Sequence, residues 1–349
     1  MSTAILFNGA ASYIAQEAGI LDLLLGNIDG VPGVGLNIQD VKFVGGLSSG
    51  ALMSFIFNAT FGDSPELSWD EFKERILFPM TTDKVYTGEQ TPFDTSPLRK
   101  LLEDITKEVG YTLIKDLPFD SAILATNLYL GLNKTYWLTN IAKVASVLPS
   151  QTELFAIARN IKAHQLELEL VSSLMCSTAI PETFPPQKLL YNDSGSSIAI
   201  KNRKEIDAEF VDGGLGNMLV FSDYIEFFQA YGEKFDKIYF ISPDFAKTEA
   251  EAVQRISLAK RGDALEEKKL SIDPLLVMDF WTNNFLKSIK AYNSGRRLAD
   301  EIYYCKPELE LEGFNPLNFS NEKEQYDATI AWAKNNPDKI AIDINSITL

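Results

Sequence analysis

Short apolar runs alternate with longer stretches of helical spacing along this chain, and that alternation predicts an α/β architecture. Residues 3–7 (TAILF) form an apolar run that stops at Asn8-Gly9, as a buried strand does. After it, Ile14, Ala18, Leu21 and Leu25 recur at helical spacing until Gly26. A second strand is expected over 41–44, ending in Gly45-Gly46, with a helix from Ser49 to about Ala59. Further helices are expected over 69–77 and 97–109, strand or hairpin material over 122–137, and a long helix over about 152–170, broken by Pro181 and Pro185-Pro186. Residues 208–211 read as a strand running into Asp212-Gly213-Gly214, and residues 237–241 and 301–304 as later strands. Helices fill most of 274–298 and 322–334. With no internal repeat and no Pro/Gly/Ser-rich linker, one domain is expected over 1–349. Its motif-bearing core covers about 1–245, and a mainly helical part, 246–349, completes the sheet.

Composition narrows the function. Across 349 residues, 32 Lys+Arg against 48 Asp+Glu leave a formal charge of −16, which argues against nucleic acid and against electrostatic docking on anionic lipid. An uncharged or zwitterionic ligand stays open. Cys176, Cys305 and His164 are the only thiols and imidazole, too few for a Cys₄ or Cys₂His₂ zinc site or a disulfide framework. The two thiols read as small buried hydrophobes, and no metal or other cofactor is expected. No basic residue precedes Lys42, so the charged start of a secretory signal is missing, and a soluble, cytoplasmic protein is expected.

The sharpest local pattern is Gly46-Leu47-Ser48-Ser49-Gly50, a G-x-S-x-G between an expected strand and an expected helix. This spacing suits a nucleophile elbow. Its glycines permit a very tight turn, and the central Ser stands over the positive end of the following helix. An incidental Ser in a glycine-rich turn is the plain alternative. A nucleophilic Ser needs a base, and there are two candidates. His164 lies in phase with Ile157, Ile161 and Leu168, which reads as a half-buried histidine on an apolar helix face. Asp212 ends a strand beside Gly213 and Gly214, where another loop can approach closely, although Asp-Gly-Gly is also an ordinary turn. Burial would raise the basicity of that carboxylate, and a good donor array would let proton transfer accompany attack. The donors are expected in Asn8-Gly9-Ala10-Ala11-Ser12, a second strand-to-helix turn with free N–H groups. Three such turns would converge at the carboxyl edge of a parallel sheet.

In this order the pieces resemble the patatin-like phospholipase family of lipid acyl hydrolases. Residues 6–21 (LFNGAASYIAQEAGIL) resemble its oxyanion loop and first helix, and residues 45–52 (GGLSSGAL) its nucleophile elbow. Residues 172–186 (SSLMCSTAIPETFPP) are similar to its small-residue helix and Phe-Pro signature, and residues 211–217 (VDGGLGN) to its Asp-Gly-Gly segment. The resemblance implies a three-layer α/β/α fold with a mostly parallel central sheet. It also implies a Ser48–Asp212 dyad working through an acyl-enzyme, with the N–H groups of Gly9, Ala10 and Ala11 as oxyanion hole. Gly46, Gly50, Gly213 and Gly214 would be the motif glycines. The partner it implies is a lipid or other acyl-ester substrate, met in transient contact with a membrane. The first loop departs from the family's Asp-Gly-Gly-Gly-x-Arg/Lys-Gly: Asn8 stands for the Asp, Ala10 and Ala11 for glycines, and Tyr13 for the basic residue. Two alternatives therefore stay open beside the hydrolase: a catalytically inactive lipid- or protein-binding relative, and an acyltransferase using the same acyl-serine.

Overall fold

In the computed structural model, which describes residues 1–31, 33–63, 65–129, 132–145, 161, 163–192, 203–216, 220–244, 287, 289–291, 293–295, 298–309 and 315–346, strand β1 (Thr3–Phe7) is buried along its whole length. Its side chains alternate between two apolar clusters. Ile5 and Phe7 join one, Ala4 and Leu6 the other, so both faces of the strand are covered. On the first face lie α1 (Ile14–Leu25), α2 (Ser49–Phe61), α3 (Ser96–Val109), α4 (Leu170–Ser177) and α6 (Glu322–Asn335). On the second, Tyr224, Phe227, Phe228 and Tyr231 of α5 (Val220–Tyr231) pack around Phe43. The result is a three-layer α/β/α arrangement.

The other strands are β2 (Val41–Leu47), β3 (Asp120–Tyr129), β4 (Leu132–Thr139), β5 (Leu190–Asn192), β6 (Arg203–Glu205), β7 (Phe210–Asp212), β8 (Phe235–Ile241), β9 (Ala299–Cys305) and β10 (Ile342–Asp343). The central sheet has the order β10-β9-β8-β1-β2-β3-β4, with β7 also on β3, while β5 and β6 pair separately. From β9 to β3 every neighbouring pair is parallel. The strands β4, β7 and β10 are antiparallel additions.

The elements differ from the sequence expectations in three places. Strand β2 runs through both glycines to Leu47 instead of ending at Val44, because both glycines stay paired between β1 and β3; a Cβ on Gly45 would lie 2.8 Å from the Tyr224 ring. The helix expected over 69–77 is α-helical only over Trp69–Phe72 and continues as a π-helical turn over Lys73–Leu77. The stretch expected as helix up to residue 170 is interrupted: Gln165–Glu167 is a 3₁₀ turn, and Leu168 and Glu169 bridge to Tyr191 and Leu113 before α4 starts. Residues 152–160 of that stretch, and most of the helix expected over 274–298, lie outside the described residues. Both cysteines are buried and unpaired, as expected of small hydrophobes.

The register of β3 decides which strand ends come together. Strand β2 occupies one of its edges opposite Asp120 to Leu124, and β4 occupies the other edge. Strand β7 takes over the β2 edge opposite Ala125 to Asn127 and runs the other way. The carboxyl ends of β2 and β7 therefore meet head-on beside adjacent residues of β3.

Candidate active site

Ser48 is the single residue between β2 and α2, and its backbone sits at φ 52°, ψ −131°. L-residues avoid that region, so the surrounding packing must hold it there. Two close approaches do so. A Cβ on Gly46 would lie 2.0 Å from the Gly50 carbonyl oxygen, and one on Gly50 would lie 2.3 Å from that of Phe7. The elbow is thus closed by backbone against backbone. Its N–H is held from α4: the Ser48 N–H donates to Ser177 Oγ at 3.0 Å, and that hydroxyl donates to the Leu124 carbonyl at 2.6 Å.

Asp212 ends β7, its N–H bonded to the Ala179 carbonyl at 2.8 Å, and the chain turns immediately into a helical turn at Gly213–Gly216. Its Oδ1 accepts the Gly214 N–H at 2.8 Å, whereas Oδ2 has no hydrogen-bond partner. Burial pushes the carboxyl up to about 6, with the neighbouring Ser48 hydroxyl and the Gly214 N–H pulling it partly back. The fold thus brings Ser48 and Asp212 together. His164 lies elsewhere, its ring stacked on Tyr191 with centroids 3.9 Å apart.

The loop after β1 differs from expectation. Gly9, at φ 69°, donates its N–H to Glu17 Oε1 at 2.8 Å, and Ala10 donates to Ser49 Oγ at 2.8 Å. Ala11 takes a left-handed φ of 49°, uncommon for a residue with a Cβ, and its N–H donates to no described group. Of the three donors expected here, two are committed within the protein. Glu17, fully buried on α1, has its carboxyl pushed up to about 8 by burial, while the Gly9 and Asn8 N–H groups act in the opposite direction. Its Oε2 is unpartnered. Asn217, next to the Asp-Gly-Gly segment, lies outside the described residues.

Ala11, Ser48 and Ser49 border an apolar cavity that opens to solvent. Its walls come from α2, from α3 and from the segment 69–85, and they are apolar almost throughout: Leu52, Phe55, Ile76, Leu101 and Ile105 among them. Besides the two serines, only Thr178 and Glu322 among the described residues bring polar side chains to it. Glu322 is 1% exposed, and neither of its carboxyl oxygens has a partner.

Four residues here were not singled out from the sequence. Ser49 and Ser177 lie inside the elbow and small-residue-helix motifs, and their signal was a hydroxyl in a stretch otherwise made of small or apolar residues. Glu17 and Glu322 gave none, since an acid in the first turn of a helix is ordinarily a solvated partner of the helix dipole.

No family model matches the chain, and no curated protein matches it. Among solved structures it is similar to VipD from Legionella pneumophila, at 11% identity and a TM-score of 0.36, over 98% of this chain and 68% of that one. Among the described residues, no helix is long and apolar enough to cross a membrane.

Proposed function

We propose that this chain is a patatin-like serine hydrolase that cleaves lipid acyl esters. One observation carries the reading: a serine on a strained elbow, beside a buried carboxyl, borders an apolar cavity. An apolar lining of this kind suits an acyl chain, whose ester carbonyl would then lie at the Ser48 border of the cavity. Ser48 Oγ attacks the carbonyl carbon while the Asp212 carboxylate takes its proton. The C–O bond to the alcohol then breaks, and the alcohol leaves with the proton from Asp212. Water attacks the acyl-serine in the second half, giving its proton to Asp212, which returns one to Ser48 as the fatty acid leaves. The Ala11 N–H and the positive end of α2 are the donors for the oxyanion.

A second reading has its own support. Because the Gly9 and Ala10 N–H groups are committed to Glu17 and Ser49, a non-catalytic binder of acyl chains is the rival. A fluorophosphonate probe separates the two. The hydrolase reading expects stoichiometric labelling that disappears in Ser48→Ala and falls at least a hundredfold in rate in Asp212→Asn. A folded wild-type protein that takes no label at Ser48 sinks the hydrolase and leaves the binder.

A further inference from the structure

Glu322 is out of place in a wall of leucines, isoleucines and phenylalanines. It opens helix α6, faces the cavity that Ser48 borders, and is 1% exposed, with both carboxyl oxygens unpartnered. Its neighbours along the helix do have partners: Gln325 donates to the Ser12 carbonyl at 3.1 Å and accepts from Gln16 at 3.0 Å. A polar group buried without a partner lowers stability unless something arrives to pair with it. Burial also holds the carboxyl well above the usual range, which favours the neutral acid, with one O–H to give and one carbonyl to receive. Such a group suits an uncharged oxygen on a ligand.

We propose that Glu322 is the recognition group of this cavity, hydrogen-bonding a hydroxyl or carbonyl oxygen carried along the acyl chain. The substrate class narrows accordingly, from plain acyl esters to esters of oxygenated fatty acids. The inference rests on the cavity taking an acyl chain, as the proposed function has it, but not on catalysis. A site that hydrogen-bonds a ligand oxygen discriminates strongly against the analogue lacking it, because its own polar atoms are then stranded.

The test is displacement of a fluorescent fatty acid from the Ser48→Ala protein by dodecanoic acid and by its positional series of monohydroxy derivatives. At least one monohydroxy isomer is expected to bind about tenfold tighter than the plain chain. Glu322→Gln, which keeps a donor and an acceptor, should retain that preference. Glu322→Leu should abolish it and tighten the plain chain. The proposal is overturned if the plain chain outcompetes every isomer, if neither kind of chain binds, or if Glu322→Leu weakens both kinds equally. Because binding is measured without the nucleophile, a hydroxy preference without fluorophosphonate labelling of the wild type would remove the hydrolase and leave this inference standing.

Discussion

Asp212 reaches Ser48 because their two strands end against each other on one edge of β3, with Leu47 opposite Leu124 and Asp212 opposite Ala125. Neighbouring rungs of a third strand therefore set their separation, and no flexible loop intervenes. Ser177 adds a tie across the same point, since it accepts from the Ser48 N–H and donates to Leu124. If the two work as the proposed dyad, this arrangement preorganises them in a buried setting, where an interaction with developing charge is stronger than in water.

In the proposed mechanism the burial of Asp212 sets the pH profile. Its carboxyl must be ionised to take the proton from Ser48, and burial places its titration at about 6. For hydrolysis of a p-nitrophenyl ester, kcat/KM should rise about tenfold per pH unit below that value and level off above it. A plateau persisting below about pH 4.5 would show that a carboxyl so perturbed is not the base.

Ser177 is a positioning residue for the elbow, and its removal can be read in two ways at once. Ser177→Ala leaves the buried Ser48 N–H without an acceptor, which should lower stability by about 1–3 kcal/mol. Freed from α4, the elbow should also let the hydroxyl drift, so kcat for the same ester should fall roughly tenfold while KM changes little. A stability loss in a denaturant titration with kcat intact would limit Ser177 to a structural role.

Much of this was legible in the residues, and the misses have causes. The apolar run of β1, the glycines around Ser48 and the hairpin of β3 and β4 stem from spacing and turn chemistry, both local properties. The direction of β7 does not. Three residues, Phe210 to Asp212, are too few to encode which way a strand pairs, so the expected convergence of three parallel strand ends is met instead by one antiparallel strand arriving from the far side. Nor does local pattern show that the Gly9 N–H will be spent on Glu17, because burial of an acid is decided by what packs over it. Here that cover includes α6, whose Gln325 bonds Gln16 on the helix that carries Glu17.

Glu17 makes stability fall with pH, opposite in sign to a salt-bridged acid. Its carboxyl titrates at about 8 in the folded chain against an ordinary value of 4.5. Below pH 4.5 folded and unfolded chains both hold the proton, and the residue contributes no pH dependence. Between 4.5 and about 8 the folded chain keeps a proton that the unfolded chain has released, so stability declines as pH rises, and above about 8 the full penalty is in place. That penalty is on the order of 5 kcal/mol at most. Glu17→Gln preserves a carbonyl oxygen for the Gly9 N–H and removes the titration. The variant should therefore melt close to wild type at about pH 4.5 and increasingly above it from about pH 5 to 8, with the gap constant beyond about pH 9. Thermal melts of the two proteins across that range check it, and a gap independent of pH would mean that the Glu17 carboxyl is ionised throughout, with a counter-charge at hand.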